Sequence, residues 1–241
     1  ADQSLASYVF FRVFIRDGLL SFADLLSNYF WTYKRKIRES VVSANNDFGS
    51  KQVAEKITPT IRGLWTEVSQ SEEKALDFLE VFWFYLLDES LAFVAEKIES
   101  LPVVDASVFD TKERQNNNLH ISDKYIQLLE NYLPHPFELM TPALVLGFEY
   151  VARLPEKMPE WFKAISDGIA FKREDQYDGF YRQYQFWHCL ASNVRKGKQS
   201  YLAAFPALAS LFLRTSYSYS RSGESKHSIV IHQYQVPNDE A

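Results

Sequence analysis

Apolar residues recur along this chain at the three- and four-residue steps of an α-helix nearly throughout. Leu76, Leu79, Trp83, Leu86 and Leu87 form one stripe. Leu91, Val94, Ala95, Ile98 and Leu101 form the next, and Asp88-Glu89-Ser90 reads as the tight turn and cap between them. Tyr125, Leu128, Leu129, Tyr132 and Leu133 follow, with Ser122 and Asp123 as cap candidates. Leu144, Phe148, Val151 and Ala152 come next, then Phe162, Ile165 and Ile169. Phe180, Tyr184, Trp187, Ala191 and Val194 make a sixth stripe, and Tyr201, Phe205, Leu208 and Phe212 a seventh. The amino-terminal third predicts helices near residues 3–16, 20–39 and 50–69.

Proline punctuates this pattern. Leu101-Pro102, Leu133-Pro134 and Leu154-Pro155 stand where stripes end, because the residue before proline is pushed out of the helical region. Thr58-Pro59 offers a cap followed by proline at a first helical position. Short links between amphipathic helices imply antiparallel neighbours. The run from Phe78 to Leu87 is apolar around much of its circumference, so that helix should lie buried between others, with Trp83 as a core anchor.

The expectation is a mainly α fold of stacked antiparallel helix pairs, α-solenoid-like, forming a single helical-array domain over residues 1–241. No fixed repeat period is visible; Ser100-Leu-Pro102 and Arg153-Leu-Pro155 are the best internal echo.

Two regions break the helical reading. Val103 to Ile121, with Asn116-Asn117-Asn118, predicts a long exposed connection. Thr215 to Val236 alternates serines with Tyr217, Tyr219 and Arg221, then crosses Ser222-Gly223 into Ile229, Val230, Ile231, Tyr234 and Val236. This predicts a small C-terminal β-hairpin over 215–236. A lone hairpin is marginal in water. It should therefore dock through Tyr217, Tyr219 and the isoleucines Ile229 and Ile231, leaving an edge open to another strand.

Composition changes the picture mainly by exclusion. A formal charge of −5, with 31 acidic against 26 basic residues, excludes a histone-like basic binder and a disordered charged tail. Eight glycines and nine prolines exclude collagenous and low-complexity chains and argue against a many-turned β-sandwich. A single cysteine, Cys189, cannot form an intrachain disulfide, and no apolar run reaches ~20 residues. Neither a secretory leader nor a membrane partner is expected, so the chain reads as cytoplasmic. A start at Ala1 and an end at Pro237-Asn-Asp-Glu-Ala241 read as a piece of a longer protein.

Candidate chemistry is sparse. His188 precedes Cys189, but adjacent helical residues point ~100° apart, so the pair is no nucleophile and base. Cys189 reads as a small buried hydrophobe. His227 and His232 would lie on opposite faces of a strand. No HExxH, CxxC or HxE spacing occurs, so no metal and no catalytic residue is expected. Gly49-Ser50-Lys51 and Gly197-Lys198 lack the further glycine of a phosphate loop; neither ATP nor another cofactor is expected. Lys34, Arg35, Lys36 and Arg38 follow Tyr29, Phe30, Trp31 and Tyr33. That mixture can serve nucleic-acid stacking, but the simpler reading is a helix with a buried aromatic face and a solvated basic one.

The segment Phe78-Leu-Glu-Val-Phe-Trp-Phe-Tyr-Leu-Leu-Asp-Glu-Ser-Leu-Ala-Phe93, continuing to Ile98-Glu-Ser-Leu-Pro102, resembles the helical arm of large bacterial STAND-type signal-transduction NTPases, a group that includes antiviral sensors. The likeness runs on through Asn116-Asn-Asn118, Ile121-Ser-Asp-Lys-Tyr-Ile126 and Tyr177-Asp-Gly-Phe-Tyr-Arg-Gln-Tyr184. It ends with Leu213-Arg-Thr-Ser216 leading to Ile229-Val-Ile-His-Gln-Tyr-Gln-Val-Pro237, about the last two-thirds of the chain. The resemblance implies a switch protein: a nucleotide-binding core followed by a helical array that senses a partner and releases oligomerisation. The phosphate loop and its acidic partner are absent here, so no ATPase residue carries over.

The expected function is a non-catalytic protein-interaction or sensor module. It would bind a protein partner or the remaining domains of the same polypeptide, and self-association is open to it. The candidate partner-binding residues are Tyr177, Phe180, Tyr181, Tyr184, Tyr217, Tyr219, Ile229 and Ile231. The alternative is a helical domain binding a small molecule or nucleic acid, with an enzymatic role carried by no recognisable motif. A large concave apolar pocket with converging ionisable groups would favour that alternative.

Overall fold

The computed structural model describes residues 3–104, 120–170, 181–212, 216–222 and 229–235. The described chain is mainly helical, and it divides into two compact units, residues 1–100 and 101–241.

The first unit opens with α1 (Gln3–Phe10), which passes directly into a π-helical segment, Phe11–Arg16. Next, α2 (Phe22–Phe48) starts at Ser21, whose hydroxyl accepts from the Asp24 amide at 3.1 Å. It runs well past residue 39 because Val41 and Ala44 extend its buried stripe of Phe22, Leu26, Phe30 and Ile37.

α3 spans Ser50–Val68 and buries Val53, Ile57 and Ile61. Pro59 lies inside α3 and does not begin a helix. Pro59 and Glu55 both sit on the exposed side, where the carbonyl that proline leaves unbonded is open to water. Pro142 and Pro206 are likewise helix-internal and exposed. By contrast, Pro102, Pro134 and Pro155 follow helix ends as expected.

α4 (Glu72–Phe82) is followed by a 3₁₀ turn, Trp83–Tyr85, and α5 (Leu87–Ser100). The break falls at Leu86 (φ −128°, ψ 45°), so Asp88, Glu89 and Ser90 already belong to α5 and are no connecting turn. Asp88 and Glu89 fill the first turn, where carboxylates suit the helix dipole. The core of this unit is a ring cluster of Phe30, Phe78 and Phe82, with centroids 4.8–5.6 Å apart. Trp83 is only half-buried: the 3₁₀ turn takes it off the α4 stripe, so Phe82 holds the anchoring position expected of it.

The second unit contains α6 (Lys124–Glu130), α7 (Phe137–Arg153), a 3₁₀ turn Pro155–Lys157 and α8 (Met158–Ile165). A π-helical segment Ser166–Ala170, α9 (Tyr181–Arg195) and α10 (Gln199–Phe212) complete its helices. All five apolar residues of the α6 stripe are buried. α7 and α8 approach closely at Gly147, where a Cβ would collide with the Trp161 indole.

α9 differs from expectation. Its buried positions are Gln183, Phe186, Cys189, Leu190 and Asn193, while Tyr184 is 63% exposed. In α10, Tyr201, Ala204 and Leu208 are buried and Phe205 is exposed. β1 (Ser216–Ser222) and β2 (Ile229–Gln235) pair antiparallel, Tyr217 opposite Tyr234 and Tyr219 opposite His232. Ile231 and Ile229 lie opposite Ser220 and Ser222.

Candidate functional site

The site begins with a bend. Tyr33 departs from helical geometry (φ −121°, ψ 24°) in the middle of α2. No proline or glycine lies between Phe22 and Phe48 to cause it. A straight helix would separate those two residues by about 39 Å. Yet the Phe10 ring packs on Phe22 at 6.4 Å, and its chain neighbour Phe11 stacks on Phe48 at 4.3 Å. Four outstretched phenylalanines joined at adjacent Cα atoms bridge at most about 35 Å, so tertiary contacts on both limbs hold α2 bent. Ser7, donating to Asp47 at 3.1 Å, ties α1 to the far limb.

A pocket of about 310 Å³ opens at this elbow. Phe10 and Phe14 form one wall, 5.3 Å apart. Leu25 and Tyr29 come from the first limb of α2, Tyr33 from the bend itself, and Lys36, Ile37 and Ser40 from the second limb. Along α2 these residues form a second stripe beside the buried one. Tyr29 and Tyr33 remain 53% and 48% exposed, so the mouth is wide.

Among the described residues no carboxylate lines the pocket, and the one charged group there is Lys36, whose ammonium lies 5.9 Å from the centre of the Tyr33 ring. The neighbouring bases are otherwise engaged. Lys34 pairs with Asp77 at 3.2 Å and Glu80 at 2.8 Å, Arg38 with Glu80 at 3.5 Å, and Arg35 with Glu39 at 3.6 Å.

The sequence pointed to this aromatic–basic segment but misassigned its faces. Of its four aromatics only Phe30 is buried; Tyr29, Trp31 and Tyr33 face outward. The contribution of Phe10 and Phe14 was missed, and the signal that could have found it was the i, i+4 pair itself, set against the uncounted stripe at 25, 29, 33, 36 and 40.

A second polar constellation lies in the other unit. Asp123 caps α6, accepting from the amides of Tyr125 at 2.9 Å and Ile126 at 3.1 Å, and from the Tyr150 hydroxyl at 3.0 Å. Glu160 accepts from the amides of Ser122 and Asp123 at 2.7 and 2.8 Å and from the Lys157 ammonium at 3.2 Å. Burial opposes ionisation of Glu160, but the two amides and Lys157 outweigh it and hold the carboxyl below its ordinary range. Burial, then the charge of Asp123, pushes the Tyr150 phenol well above its usual value. Both carboxylates accept from backbone amides, and the constellation clamps the start of α6.

The remaining candidates are dispersed. Tyr177 and Phe180 lie outside the described residues. Tyr181 opens α9, and the exposed Tyr184 packs its ring 6.4 Å from that of His188. Tyr217 and Tyr219 lie on β1, Ile229 and Ile231 on β2, at the alternate register positions given above. Cys189 is buried; burial raises its thiol pKa, and Asn193 Nδ2 donates to it at 3.7 Å. Among the described residues no three His, Cys, Asp or Glu side chains group to hold a metal ion, and no helix is long and apolar enough to cross a membrane. Comparison with known proteins returns no family model, no curated protein and no solved structure that matches the chain.

Proposed function

We propose that this chain is a non-catalytic helical interaction module acting within a larger signalling NTPase. The observation that carries the interaction reading is the distribution of exposed apolar surface. Nine of the fifteen large hydrophobic side chains exposed among the described residues fall between Leu5 and Val42, on the stretch of chain that builds the elbow pocket, and exposed apolar surface concentrated in this way favours a binding role. The link to STAND-type NTPases rests on the sequence likeness from Phe78 onward. In that reading the helix pairs stack as in a solenoid, and the terminal hairpin offers an edge to the downstream chain or a second copy.

The second reading, a small-molecule site, draws on the size of the pocket, which lies at the lower end of the ligand-pocket range. The experiment that separates the two is photocrosslinking in the cells of origin, with p-benzoylphenylalanine at position 29 or 33. A discrete protein adduct at both positions is expected. Absence of any protein adduct, in chain that remains soluble and helical, would overturn the interaction reading. Titration calorimetry with ATP and magnesium should show no binding heat, since no phosphate-cradling loop is present.

A further inference from the structure

The chemistry of the elbow pocket reaches one step further, resting on the interaction reading above. We propose that the pocket docks an acidic, amphipathic segment of a protein partner. Apolar anchors of that segment enter between Phe10, Phe14 and Leu25, flanked by Tyr29 and Tyr33, and a neighbouring carboxylate meets Lys36.

Three features select this occupant. The first is charge. Among the described residues the lining holds one cation and no anion, and no carboxylate pairs with Lys36, whereas Lys34 has two such partners and Arg35 and Arg38 one each. An ammonium beside an aromatic ring and an apolar lining, with no carboxylate of its own, is a ready partner for an incoming carboxylate.

The second is the wide mouth. Small-ligand pockets bury 70–90% or more of their ligand, but here two aromatic walls stay about half in water. A polypeptide that brings its own cover suits such a site. The third is extent. Leu5 and Val9 on α1, Leu19 and Leu20 in the turn before α2, and Trp31 on α2 are also exposed, giving apolar surface on the same elements beyond the pocket. The docking mode is that of a helix or short motif in a groove, with apolar anchors at helical spacing.

The test uses the full chain and two 14-residue probe peptides, identical in their Leu and Phe stripe, one flanked by glutamates and the other by lysines. The acidic peptide is expected to bind one-to-one and to shift the amide resonances of Tyr29, Tyr33 and Lys36, with the basic peptide at least ~10-fold weaker. Lys36→Met should weaken the acidic peptide ~5-fold, and Lys36→Glu should reverse the preference, both at unchanged melting temperature because the side chain is exposed. Equal binding of the two peptides, no binding of either, a preference indifferent to Lys36→Glu, or shifts confined elsewhere would overturn the proposal. So would one-to-one saturation by laurate without peptide binding, or vesicle binding that needs phosphatidylserine and survives Lys36→Glu. Should crosslinks at 29 and 33 capture protein while the acidic peptide fails, the interaction reading stands and only the acidic-segment proposal falls.

Discussion

Glu130 ends α6 with its carboxylate at the negative end of the helix, and burial, then repulsion from Asp167, raises its pKa to about 7 although Lys163 pulls the other way. A carboxyl whose folded pKa exceeds its unfolded value is more protonated in the native state. Its stabilising effect is therefore complete at low pH and is lost as pH rises from about 4.5 through 7. Because the group keeps some contact with solvent, the loss is on the order of 1–2 kcal/mol. Glu130→Gln should accordingly raise the denaturant midpoint at pH 8 and leave it nearly unchanged at pH 5. Glu160 has the opposite sign: its contribution is present at neutral pH and lost as pH falls through its lowered pKa. Glu160→Gln should thus destabilise at pH 7 and have less effect near pH 3, as read from denaturant midpoints. The same scale explains why α9 misled the pattern of apolar positions. Gln183 and Asn193 take buried places because each donates to a carbonyl, of Ile169 at 3.1 Å and Cys189 at 2.9 Å, leaving Tyr184 outside.

Between α7 and α8 the contact at Gly147 sets an element-scale test. Alanine at an ordinary helical glycine gains about 0.5–1 kcal/mol. Here the added methyl meets the buried Trp161 ring, and overpacking of this kind costs about 1–3 kcal/mol. Gly147→Ala should therefore lower the melting temperature, and a smaller ring in Trp161→Phe should recover part of the loss in a double-mutant cycle. Stripes such as Tyr125 to Leu133 were legible because every apolar member finds the core. The bend in α2 was not legible. Nothing local marks it, since the contacts that hold it join residues 12 and 37 positions apart, Phe10 with Phe22 and Phe11 with Phe48. The elbow pocket, which exists only because of that bend, was hidden for the same reason.

For the whole molecule, the sequence carried the mainly helical character and the helix order but not the division into two units, because apolar period reports what a helix buries and not which neighbour it buries it against. Residues 1–100 have their own phenylalanine cluster and buried stripes. Produced alone, they should give a helical circular dichroism spectrum and one cooperative thermal transition; a broad, non-cooperative melt would show that the core is incomplete.

Cys189 is the only sulfhydryl in the chain, it is buried, and it belongs to the second unit. It is therefore a built-in clock for one half of the molecule. A chromogenic disulfide reagent can reach the sulfur only during openings of the helices around α9, so the labelling rate equals the opening equilibrium constant times the rate for an unhindered thiol. If that equilibrium costs ~5 kcal/mol, labelling slows by about three to four orders of magnitude. Opening or partner capture confined to the first unit would leave the clock running at the same speed.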